Sequence, residues 1–175
     1  MPRDEPLASS SAIRWQCHTC KEWHTGLPLD VAWDEPYYYS VLSDDARKNA
    51  FLDSDLCVIE DDYFIRGVIE IPIIGTSDHF LWGVWSSLSK KNFQLVVDHW
   101  DDPELDRFEP MFGWLSNRMD FYSDTLNLKV NVCLRSKGLR PRIIVQPTDH
   151  PLAVEQEQGI TLARIQEINA QVLHS

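Results

Sequence analysis

Residues 125–135, TLNLKVNVCLR, alternate apolar and polar side chains almost without a break. Leu126, Leu128, Val130, Val132 and Leu134 fall on one side, and Asn127, Lys129, Asn131, Cys133 and Arg135 on the other. A period of two marks a half-buried strand, because successive side chains of a strand point to opposite faces. A helix would scatter the same five aliphatics around its axis. Such a strand needs a sheet to join and a layer to cover its apolar face.

Other segments supply both. DLCVIE, a turn at Asp61–Asp62 and YFIRGVIEIPII read as a hairpin, with Tyr63, Ile65, Ile69, Ile71 and Ile73 on one face and Arg66 and Glu70 on the other. Pro72 pushes that strand toward an edge or a bulge. HFLWGVWSSL follows the GTSD turn as a third strand, MFGWLS is a further strand, and SKG turns 125–135 into RPRIIVQP. Helical spacing appears after Ser89, where Phe93, Val96, Val97 and Trp100 form one stripe, and after Thr161, where Leu162, Ile165, Ile168 and Val172 do so. Ser43, followed by two acids, predicts a short helix. The expected fold class is α+β: a frayed, disordered tail over 1–13, then a single domain over 14–175. That domain has an antiparallel β-sheet with helices packed on one face and an N-terminal C-x-x-C knuckle.

Composition narrows the function classes. The chain has 175 residues, enough for one well-buried domain. The opening MPRDEPLASSSA lacks the apolar core of a secretory signal, and no apolar run is long enough to span a bilayer. The expectation is a cytoplasmic protein, in which four cysteines are metal ligands or buried thiols before they are disulfides. Net charge is −11, with 6 Lys/Arg against 15 Asp/Glu in residues 1–87 and 10 against 12 in 88–175. That balance disfavours nucleic acid; simple solvation of the surface accounts for it first, and steering toward a basic protein partner is the alternative.

Cys17 and Cys20, in RWQCHTCKEWH, have the spacing at which a tight turn brings two thiolates onto one zinc ion. Zinc takes four ligands, so the pair is half a site. His24 is the nearest further donor, His18 lies inside the knuckle, and Cys57 is the most attractive distant candidate. A redox pair is disfavoured, since no helix follows to lower a thiol pKa. Cys133 lies on the polar side of its strand beside Lys129 and Arg135, which would favour a thiolate; a small residue on a covered face is the alternative. Asp149 and His150 adjoin, but neighbours on extended chain point apart; Asp149 is read as capping a turn before Pro151, and His150 as structural or as a spare ligand. No G-x-S-x-G, H-E-x-x-H or phosphate loop is present.

Six acids lie between Asp98 and Glu109. Asp98, Asp101, Asp102, Glu104 and Asp106, with the aromatics Trp100 and Phe108, make a candidate landing site for a basic surface. KVNVCLRSKGLRPR carries five Lys/Arg and no acid, and either meets an anion or balances the acidic half of its own molecule.

The blocks CHTC followed by His24, DSDLCVI, FIRGVIEIPI, WGVWSSLS, FGWL, DTLNLK and DHPLA, taken in this order, resemble an uncharacterised bacterial family, domain of unknown function 2199, from Trp15 to about Ile168. The resemblance implies Cys17, Cys20, His24 and Cys57 as matched positions and no known activity. Lys21 stands where that family's knuckle typically has Gly. Three functions follow for weighing. One is a small acidic, non-enzymatic protein-binding domain of the immunity or inhibitor kind, stabilised by structural zinc. The others are a zinc-dependent hydrolase and a thiol-based metal or redox sensor using Cys17, Cys20 and Cys133.

Overall fold

The computed structural model describes Leu7 and residues 9–175. In chain order the strands are β1 (Arg14–Gln16), β2 (Trp23–Thr25), β3 (Asp30–Ala32), β4 (Phe51–Leu52), β5 (Leu56–Ile59), β6 (Asp62–Pro72), β7 (His79–Leu88), β8 (Met111–Trp114), β9 (Lys129–Cys133) and β10 (Arg142–Val145). The α-helices are α1 (Tyr37–Ser40), α2 (Asp44–Arg47), α3 (Lys90–Asp98), α4 (Pro151–Gln158) and α5 (Leu162–Leu173). The fold is α+β.

β6 and β7 form the spine, paired antiparallel from Tyr63↔Leu88 to Pro72↔His79. The eight-stranded sheet runs β3-β7-β6-β10-β9-β8, with β5 on the first half of β6 and β4 on β5. Most pairs are antiparallel, as expected, but β3 lies parallel to β7 and β10 parallel to β6. Both parallel neighbours are far apart in sequence, as they must be, because a short turn can join only antiparallel strands. Beyond β8, Leu115 bridges back to Ser86, and the Ser116 N–H donates to the Trp85 carbonyl at 2.8 Å. The sheet therefore curls until its last strand meets its spine.

The alternation read from sequence decides the two faces. Ile65, Ile69 and Ile71 of β6, Val130 and Val132 of β9, and Ile143 and Val145 of β10 enter the main core. Phe93 and Val96 of α3, Leu152 and Ala153 of α4, and Ile165, Ile168 and Ala170 of α5 enter it too. The three longer helices thus supply the cover that face requires. On the reverse face Phe64, Cys57 and Trp85 form a small second cluster, against which Tyr38 and Tyr39 of α1 pack.

Caps set the helix starts. Ser43, Ser89 and Thr161 accept from Ala46, Asn92 and Arg164 N–H groups. α4 begins at Pro151, a residue pre-shaped for a first helical position, with His150 Nδ1 accepting from the Leu152 N–H at 3.1 Å. His150 is thus structural, and it rather than Asp149 caps a helix rather than a turn.

Residues 1–6 and 8 of the expected tail lie outside the described residues. The rest of it is tied down rather than frayed. The Leu7 N–H donates to Asp78 at 2.6 Å, and Ser10 and Ile13 carbonyls accept from Leu27 and Gly26 at 2.8 Å.

The basic hairpin is spent internally. Arg135 and Arg142 both bind Glu70, at 2.6 and 2.9 Å, and Arg140 binds Asp55 at 2.7 Å. Both acids belong to the acidic first half of the chain. Glu70→Ala should lower unfolding stability in urea by about 1–2 kcal/mol, since two charged hydrogen bonds lose their acceptor and the arginines remain half-covered. A variant indistinguishable from wild type would show that water serves these arginines as well as Glu70 does.

Candidate metal centre

β1 and β2 pair antiparallel, setting Trp15 opposite His24. The six residues between them make a tight knuckle in which the Cys17 N–H donates to the Glu22 carbonyl and the Lys21 N–H to the Cys17 carbonyl, both at 2.9 Å. Closing this turn puts Lys21 in the left-handed region at φ 66°. That is the backbone a Gly adopts freely and a side chain resists. The Lys21 Nζ donates to the His18 carbonyl at 2.6 Å, which offsets part of the cost. Lys21→Gly should therefore raise stability by about 1 kcal/mol in thermal or urea unfolding, an effect that no lost contact could produce.

Trp15 is buried, its Nε1 donates to the Gly26 carbonyl at 2.9 Å, and its ring lies 5.0 Å from that of His24. This contact holds the imidazole over the knuckle, where His24 Nε2 is 3.4 Å from Cys20 Sγ. The donor atoms of Cys17, Cys20 and His24 all lie within 4.8 Å of one another, so these residues could hold a metal ion. Cys17 is fully buried; Cys20 and His24 are half-buried. Burial is the largest single influence on Cys17 and works against ionising it, and the Cys20 and Thr19 backbone groups oppose it. With the His174 and Cys20 side chains they bring the thiol down to about 6. Backbone groups folded around one sulfur in this way stabilise a thiolate, the form that binds metal.

Residues 16–160 match the family described as an uncharacterized protein conserved in bacteria, DUF2199. The chain belongs to that family. No curated protein and no solved structure matches it.

Cys57 was the expected distant ligand in this DUF2199 chain, and the structure corrects that expectation. It sits on β5 opposite Phe64, on the reverse face of the sheet, packed with Phe64 and Trp85. Burial, then the charges of Glu35 and Asp53, push its thiol up to about 12. The ligand expectation failed because Cys57 faces away from the core into which Cys17 packs. Cys133 follows the covered-face reading and not the thiolate one: burial raises its pKa, with only Arg142 opposing, while Arg135 is turned to Glu70. Thiol labelling of the folded, metal-free protein at neutral pH should modify Cys20 well before Cys133 and leave Cys57 unmodified until denaturant is added. Early labelling of Cys57 would contradict this.

One residue near the knuckle carried no signal in the sequence. His174, just past α5, places Nε2 at 3.3 Å from Cys17 Sγ. A broad depression of about 600 Å³ beside it is lined by His18, Thr19, Asp120, Phe121, Glu167 and His174, among others.

The acidic segment divides. Asp102 binds Arg107 at 2.7 Å and accepts the Glu104 N–H at 2.9 Å; those contacts, the backbone one foremost, hold its carboxyl below the usual range. Asp106 accepts from Ser136 at 2.7 Å, and Phe108 packs on the core. Asp98 accepts from Gln94 at 2.7 Å, at the exposed end of α3. Asp101 and Glu104 are exposed, and Trp100 is 46% exposed at a cavity of about 260 Å³ shared with Val96, Leu134, Leu139 and Arg140. No helix of the described residues is long and apolar enough to cross a membrane.

Proposed function

We propose that this protein is a non-enzymatic protein-binding domain, of the immunity or inhibitor kind, stabilised by zinc at Cys17, Cys20 and His24. Its setting is the reducing cytoplasm and its partner a basic protein. The observation that carries this reading is the convergence of two sulfurs and an imidazole on one point at the edge of the core. Thiolate with imidazole is a donor set that suits zinc, and thiolate-rich zinc sites are structural more often than catalytic. The partner reading draws on the charge of −11 and on the exposed Asp98, Asp101 and Glu104, which lie within four positions of the exposed Trp100 in sequence. An exposed aromatic can supply binding energy, and acidic residues on the same segment can steer a basic surface.

The test is elemental analysis with native mass spectrometry on protein purified from zinc-replete cells without chelator. It should give one zinc per chain, and protein that stays metal-free after zinc is supplied would end the reading. Affinity capture from the native host should then recover a basic protein, and Trp100→Ala with Asp101→Lys should lose it.

A zinc-dependent enzyme is the second reading. It draws on the depression next to the knuckle, which brings the carboxylates of Asp120 and Glu167 to its rim. A zinc ion with an open position would supply an activated water there. Cys17→Ser separates the two: a large fall in unfolding stability speaks for a structural ion, an inert protein of unchanged stability for a catalytic one.

A further inference from the structure

We infer that His174 is the fourth ligand of the metal centre, completing a two-cysteine, two-histidine site that fastens the end of α5 to the N-terminal knuckle. This rests on the metal reading above and goes beyond it, because His174 lies outside residues 16–160, over which the family matches.

A zinc ion holds sulfur at about 2.3 Å and nitrogen at about 2.0 Å in a tetrahedron, so a sulfur and a nitrogen on one ion sit roughly 3.6 Å apart. The structure has two edges near that length, Cys20 Sγ to His24 Nε2 at 3.4 Å and Cys17 Sγ to His174 Nε2 at 3.3 Å. The donors of Cys17, Cys20 and His24 lie within 4.8 Å of one another, whereas His174 is not within that distance of all three, so its exposed imidazole has to close further inward to complete the tetrahedron. Each sulfur has its own imidazole, approached through the same ring nitrogen. A neutral Cys–His contact alone does not require both thiols to be paired in this way on one knuckle.

The element that delivers His174 is anchored for the purpose. Five residues earlier, buried Asn169 donates to the Pro28 carbonyl at 3.0 Å, joining α5 to the segment that leads from β2 to β3. The Gln171 side chain donates to the Asp120 carbonyl at 3.3 Å. The second half of α5 is thus tied to the loop that follows β2 and to the Asp120 backbone. With four protein ligands the ion has no open position, and its role is to clasp two segments 157 residues apart in sequence.

Cobalt(II) titration of the full chain, wild type and His174→Ala, tests this. His174 is exposed past the helix end, so the variant keeps its core. Wild type should give the intense d–d absorption of a four-coordinate ion. His174→Ala should bind about 100-fold more weakly, with the weaker bands of an ion that has taken up water. His174→Cys should restore tight four-coordinate binding and strengthen the sulfur-to-metal charge-transfer band, since a third thiolate has joined. Unchanged affinity and spectrum in His174→Ala would overturn the inference while leaving the metal reading intact. Weakening by Asp120→Asn or Glu167→Gln instead would assign the fourth position to a carboxylate and equally overturn it. A wild type that takes up no cobalt would remove both.

Discussion

If zinc fills the proposed site, chelating it from the wild type will lower the melting temperature by on the order of 10 °C, and Cys17→Ser will do the same with or without chelator. A ligand that binds only the folded state stabilises by about 4 kcal/mol when its free concentration is a thousand times its dissociation constant. For a chain of this size 1 kcal/mol moves the midpoint by roughly 2–4 °C. A domain's whole stability is about 5–15 kcal/mol, so this share is large. Cys17 is the right residue to remove, being the buried member of the cluster and a part of the main core. The chelator arm separates metal from packing: a cavity or polar-burial effect of the Ser would appear in the variant alone. A wild-type melting curve that ignores the chelator, in protein shown to contain metal beforehand, would count against a structural ion.

Gly113→Ala will cost about 3 kcal/mol or more, out of proportion to a single methyl group. A Cβ built on Gly113 of β8 would lie 2.2 Å from Ser86 Oγ and 2.3 Å from the Ser87 carbonyl oxygen. The hydroxyl can swing aside; the carbonyl is backbone of the β7 spine and cannot. Relief requires β8 to withdraw, which breaks the return of Leu115 to Ser86 and exposes the buried Met111 and Leu115. Gly138→Ala is the control. It has open space around it and a φ of 70°, so its cost is confined to left-handed strain of about 1 kcal/mol. Urea unfolding of the two variants should rank them clearly, and equal losses would mean that the sheet does not close as tightly as its hydrogen bonds imply.

Where the sequence reading held, it held for local reasons. β7 occupies His79–Leu88, as read, and α3 and α5 start after the residues expected to cap them. It failed where one residue's backbone contradicts its pattern. The alternation from 125 to 135 yields a strand only over Lys129–Cys133, because Asn127 is left-handed at φ 64° and the Leu128 N–H turns back to the Thr125 carbonyl. α4 went unread because its buried residues, Leu152 and Ala153, are adjacent and trace no stripe, and Pro151 reads as a break. Val172 continues the α5 spacing but is 43% exposed, since the core ends before the helix does. At the metal centre Cys17, Cys20 and His24 were legible because one hairpin carries all three.

By itself the sequence determined the α+β class, the two faces of the central strands and the three cluster residues Cys17, Cys20 and His24, because each depends on neighbours within about ten positions. Only the tertiary structure decided that Cys57 faces the reverse side, that the arginines of 135–142 bind Glu70 and Asp55, and that His174 reaches Cys17. Those outcomes follow from strand order and helix placement, which are set by how the whole apolar surface is covered at once and leave no periodic trace along the chain.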